Sequence, residues 1–131
     1  MKTLVHPWPV HGKGTRIVPV FLPFAGCRTR CIYCAQTLQT GRSLQGVRQV
    51  LDEAFSMLRA RSKRGLEPCE LAFYGGTFTA LESSAFGFCL HSALEWRNMG
   101  LISSWRCSTR PDCLDERLLL DMRAAGCTTV E

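Results

Sequence analysis

Apolar runs of strand length alternate with amphipathic helical stretches along this 131-residue chain. That alternation leaves few folds open to it. Residues 17–24 form the first apolar run, although Pro19 and Pro23 cannot donate to a ladder and so place it at a sheet edge or at the opening of a barrel. Val47, Val50, Leu51, Ala54, Phe55 and Leu58 then recur with helical spacing and predict one buried stripe. Arg59, Arg61, Lys63 and Arg64 crowd the end of that helix, where the macrodipole favours cations, and Gly65 can supply a left-handed cap. A second strand is expected at residues 71–74, stopped by Gly75 and Gly76. A second helix follows, capped by Ser83 or Ser84, with Phe86, Cys89, Leu90, Ala93 and Leu94 on one face and Gly100 at its end. Residues 101–108 read as a third strand. Asp115 opens a third helix carrying Leu118, Leu119, Met122 and Ala125, and Thr128, Thr129 and Val130 begin a fourth strand.

Strand, helix, strand, helix, strand, helix, strand is the signature of an α/β layer with a parallel sheet and right-handed crossovers. A complete eight-stranded barrel takes about 250 residues. About four parallel strands and three helices therefore predict a partial TIM-type (βα) barrel. A fourth strand at the very end of the chain reads as truncation, because an interior strand needs a partner on each side. Residues 1–16, rich in Pro, His and Gly, read as an irregular N-terminal lead-in, and residues 17–131 as the α/β unit.

Composition excludes several classes. At 46% hydrophobic and 21% charged residues the chain is too apolar for disorder. No apolar run approaches the roughly 20 residues of a membrane span, and no signal-peptide core follows Met1. This predicts a cytoplasmic protein with no membrane partner, where thiols stay reduced. Sixteen basic against 11 acidic residues leave a net charge of +5, which permits an anionic partner without naming one. Eight cysteines then read as metal ligands, redox groups or small buried side chains before they read as disulfides.

In parallel α/β sheets the functional loops sit at the C-terminal strand ends. Every chemistry-bearing segment of this chain follows a strand. Cys27, Cys31 and Cys34 follow the first, Gly75, Gly76 and Thr77 the second, Thr109 and Arg110 the third. The three cysteines fall in a long aperiodic stretch, residues 26–41, and loops of that length in compact domains are usually functional. Soft thiolates suit iron–sulfur clusters, zinc or copper(I). Three ligands would leave one iron of a [4Fe–4S] cubane without a protein donor, whereas structural zinc sites close with four. Two alternatives stand beside the cluster: zinc with a fourth ligand from Cys69, Cys107 or a histidine, and a Cys31/Cys34 redox pair. Gly75 and Gly76 alone read as a turn after a strand, and Arg110-Pro111-Asp112 as a surface turn.

The segment 17–36, with Gly26 before the first cysteine and Tyr33 before the last, resembles the cluster segment of radical S-adenosylmethionine (SAM) enzymes. Segments 73–81, 107–112 and 126–131 are similar to the branch of that superfamily around the catalytic subunit of Elongator. The resemblance runs over nearly the whole of residues 17–131 and implies the N-terminal portion of a radical SAM core domain. By that resemblance Cys27, Cys31 and Cys34 would hold a [4Fe–4S] cluster, and SAM would chelate its open iron. Reduction by a donor such as flavodoxin or ferredoxin would then yield methionine and a 5′-deoxyadenosyl radical. Tyr33 would lie beside the adenine. Gly75, Gly76 and Thr77 would approach the methionine ammonium, with Thr77 standing where the superfamily commonly has glutamate. Thr109 and Arg110, at the third strand's end, would belong to the SAM site, with Arg110 pairing with its carboxylate, and Glu131 matches a position near the ribose. The branch points to tRNA as substrate by analogy alone.

The other candidates have plainer readings. His6, His11 and His91 are isolated, and Gln36 reads as a solvated loop residue. Cys69, Cys89, Cys107, Cys113 and Cys127 are spaced irregularly and read as structural thiols. The basic residues from Arg59 to Arg64 read as a solvated helix end before they read as an RNA contact.

Overall fold

Four strands form one parallel sheet in the order β1-β2-β3-β4 in the computed structural model, which describes residues 16–22 and 44–131. The strands are β1 (Ile17–Phe21), β2 (Cys69–Tyr74), β3 (Ile102–Cys107) and β4 (Cys127–Val130). The helices α1 (Leu44–Lys63), α2 (Ser83–Asn98) and α3 (Glu116–Ala124) connect them in turn. This is the expected α/β architecture, with the element order of a partial (βα) barrel. Residues 1–15 of the lead-in, the cysteine stretch and Pro23 lie outside the described residues. Among the described residues no helix is long and apolar enough to cross a membrane.

Alternation along the strands decides which face is buried. Val18, Val20, Leu71, Phe73, Trp105 and Cys107 pack together with the helices. Residues paired across a parallel ladder share a face, so Ile17, Pro19, Phe21, Glu70, Ala72, Tyr74, Ser104 and Arg106 occupy the other. Pro19 sits on β1, an edge of the described sheet, where its missing N–H costs no ladder bond on the open side. Phe73, Phe78 and Trp105 form the aromatic centre, with ring centroids 5.0 to 5.5 Å apart. Trp105 also donates from Nε1 to the Ala125 carbonyl at 2.9 Å, which ties the end of α3 to the sheet.

Helix α1 buries Val47, Leu51, Ala54 and Leu58 as its spacing predicts, and Gly65 takes φ +73° just beyond its end. Helix α2 differs in two respects. Its N-cap is Glu82 rather than a serine. Its buried stripe is Ala85, Cys89, Ser92, Ala93 and Trp96, with Phe86 and Leu90 only partly covered. Trp96 stacks on Phe55 of α1 with ring centroids 6.1 Å apart, and this large contact turns the small residues of α2 inward. In α3 only Met122 and the following Ala125 are buried, while Leu119 is 42% exposed. Asp115 caps α3 as expected, its Oδ1 accepting from the Leu118 N–H at 2.7 Å. Asp115→Ala is expected to cost about 1 kcal/mol, read as a lower urea midpoint with an unchanged slope.

Candidate functional site

The C-terminal ends of β2, β3 and β4 meet at one edge of the sheet, laced by main-chain bonds. The Ser108 N–H donates to the Phe73 carbonyl at 3.2 Å, and the Phe78 N–H to the Ser108 carbonyl at 3.3 Å. The Glu131 N–H reaches the Cys107 carbonyl at 2.9 Å, and the Thr109 N–H reaches the Glu131 carbonyl at 3.0 Å. These bonds bring Gly75, Gly76, Thr77, Thr109, Arg110 and Glu131 into one neighbourhood. Leu22 stands at the same edge, donating to the Tyr74 carbonyl at 2.7 Å, and from it the chain runs on toward Cys27.

Two glycines shape the edge. Gly75 has φ +101°, and a Cβ there would lie 2.7 Å from the Leu22 carbonyl oxygen. Gly76, at φ +150°, continues a backbone without side chains. Thr77 follows, buried, at the start of a one-turn 3-10 helix (Phe78–Ala80). Thr109 does what its position alone does not disclose. Its hydroxyl lies 2.6 Å from the Thr79 hydroxyl and accepts from the Thr79 N–H at 3.3 Å, so it locks that turn onto the end of β3. Arg110 is exposed, and its guanidinium is engaged by Asp112 through two bonds of 3.1 and 2.8 Å.

Three charged side chains on the face away from the helices complete the edge. Arg106 donates to Glu70 through Nε at 2.8 Å and Nη2 at 3.2 Å, and through Nη1 to Glu131 at 2.7 Å. Glu70 is nearly buried, and the bonds to Glu70 and then Glu131 raise the Arg106 pKa above its ordinary value. The group joins β2, β3 and the residue after β4, and it holds two carboxylates against one guanidinium. Glu70, Arg106 and Thr79 were missed by motif reading. A signal existed for the first two: both are charged residues inside strands, on the alternate phase from the core positions.

Cys27, Cys31, Cys34 and Tyr33 lie outside the described residues. Among the described residues no group of three or more metal-ligating side chains occurs. Of the thiols in the described residues, Cys69, Cys89 and Cys107 are fully buried packing groups. Burial pushes the Cys89 thiol up to about 12 and raises Cys69. Cys107 is raised by its hydrogen bond to Cys127 and by burial, and Cys127 is correspondingly lowered. With brief iodoacetamide treatment at pH 8, Cys127 is expected to alkylate well before Cys69, Cys89 and Cys107, because only the thiolate reacts and those three are fully buried. Peptide mass spectrometry gives the order, and early labelling of Cys89 would contradict it.

No protein-family model matches the chain. Over 113 residues, 85% of its length, the chain is 31% identical to an uncharacterized methyltransferase of Pyrococcus horikoshii. It spans 23% of that protein, about a quarter of the relative's length.

Proposed function

We propose that residues 17–131 are the N-terminal portion of a radical SAM core domain, with Cys27, Cys31 and Cys34 holding a [4Fe–4S] cluster and SAM lying across the C-terminal strand ends. The observation that carries this reading is convergence. Three segments far apart in sequence, at Gly75, Thr109 and Glu131, end at one edge, and the strand leading to the cysteines ends there too. The relative named a methyltransferase adds support for the coarser part, an enzyme that uses SAM.

The residues fit such a ligand. The Leu22 backbone packs into the place a Gly75 Cβ would take, and Gly76 extends a backbone free of side chains, whose main-chain carbonyls can accept from an ammonium group. The carboxylate excess of Glu70 and Glu131 over Arg106 suits a ligand carrying sulfonium and ammonium charges. Arg110 offers a planar fork for a carboxylate once it parts from Asp112, an exposed and therefore weak ion pair. Three thiolates are a soft donor set with one ligand fewer than a closed metal site. When bound, the cluster and SAM together supply reductive cleavage of the sulfonium, while the chain orients the ligand and excludes water. An electron donor of the flavodoxin or ferredoxin kind is required by that chemistry, and tRNA is the substrate to test first.

Anaerobic reconstitution with iron and sulfide tests the reading. The expected result is a brown protein with about four irons per chain that forms 5′-deoxyadenosine from SAM on reduction. A colourless zinc protein would reject it in favour of a structural metal module. SAM binding without any cluster would replace it with a cluster-free SAM enzyme.

A further inference from the structure

The Glu70–Arg106–Glu131 group is the most completely bonded charged feature of the described sheet, and no motif accounts for Glu70 or Arg106. Arg106 is 22% exposed at its side chain and Glu70 11%, so this pair is largely withdrawn from water. Glu131 is 43% exposed and stands at the strand-end edge beside Thr109. Arg106 spends two of its three donor nitrogens on Glu70, which fixes the plane of the guanidinium. Its third nitrogen takes Glu131 Oε1. That bond restricts where the Glu131 carboxylate can lie.

We propose that Arg106 is a positioning residue, anchored by Glu70, which aims the Glu131 carboxylate at the hydrogen-donating or cationic part of the ligand bound across the strand ends. This inference rests on the reading of that edge as a SAM site. A guanidinium is required because one group must grip two carboxylates at once, one on β2 and one just after β4. A lysine ammonium, a single charged point on a flexible stem, pairs with the more buried Glu70 and lets Glu131 go.

The test uses the full chain, anaerobically reconstituted, with SAM binding read by calorimetry and stability by urea unfolding. Arg106→Lys keeps the charge beside Glu70, so the fold is expected to survive. SAM affinity is expected to fall about tenfold, the scale of one charge-assisted hydrogen bond. Glu131→Gln is expected to weaken binding by a similar factor, and the double variant by no more than Glu131→Gln alone, because both changes remove the same contact. If Arg106→Lys lowers stability but binds SAM as the unaltered chain does, Arg106 is structural only and the proposal fails. Independent, multiplying losses in the double variant would overturn it as well. Failure of the unaltered chain to bind SAM instead refutes the site reading itself, before any variant is compared.

Discussion

Cys31→Ala is expected to yield a colourless protein after anaerobic reconstitution and to abolish 5′-deoxyadenosine formation. In the proposed ligand set Cys31 is the middle member, with three intervening residues on one side and two on the other. Its removal leaves two thiolates for a cubane that needs at least three. Each thiolate is an anionic soft donor, and alanine supplies no replacement. Cys113→Ala is the matched control: Cys113 is only partly buried, stands after β3, and belongs to no ligand set in this reading. That control should keep its iron and its colour. A full iron complement in Cys31→Ala would remove the basis for the cluster.

Gly75→Ala is expected to destabilise the fold by about 3 kcal/mol, through two effects that can be separated. The first is conformational. Gly75 has φ +101°, a region that costs an L-residue about 1–2 kcal/mol. The second is steric, since the new Cβ would lie 2.7 Å from the Leu22 carbonyl oxygen and 3.1 Å from its nitrogen. Both are backbone atoms of a residue bonded to Tyr74, so neither can swing away as a side-chain tip could. Gly65→Ala isolates the first effect. Its φ is +73°, yet nothing lies within 4 Å of a Cβ there, so about 1 kcal/mol is expected. Urea unfolding of both variants gives the difference. Equal losses would mean that the approach of Leu22 to Gly75 carries no energy. The Gly75 variant should also reconstitute poorly, because Leu22 is where β1 leads out toward Cys27.

How much could be read in advance depended on the range of the interaction. The helix spacing of Val47, Leu51, Ala54 and Leu58, the Asp115 cap and the turn glycines at 65, 75 and 100 are local, and each is present as its sequence context indicates. Helix α2 shows where local pattern stops. Its own sequence offers apolar residues on more than one side, and the Trp96–Phe55 contact with another helix selects the stripe that is buried.

By itself the sequence determined the order of strands and helices, and hence that the segments after β2, β3 and β4 would share one edge. It also supplies the three closely spaced cysteines on which the proposed cluster rests. Those follow from periodicity and side-chain type, which are properties of neighbours along the chain. Only the tertiary structure decided that Arg106 would join Glu70 to Glu131 and that Thr109 would hold Thr79. Both depend on strand register and on how loops dock across 25 to 36 residues. Spacing along a chain carries no record of distances that the sheet creates only once it has formed.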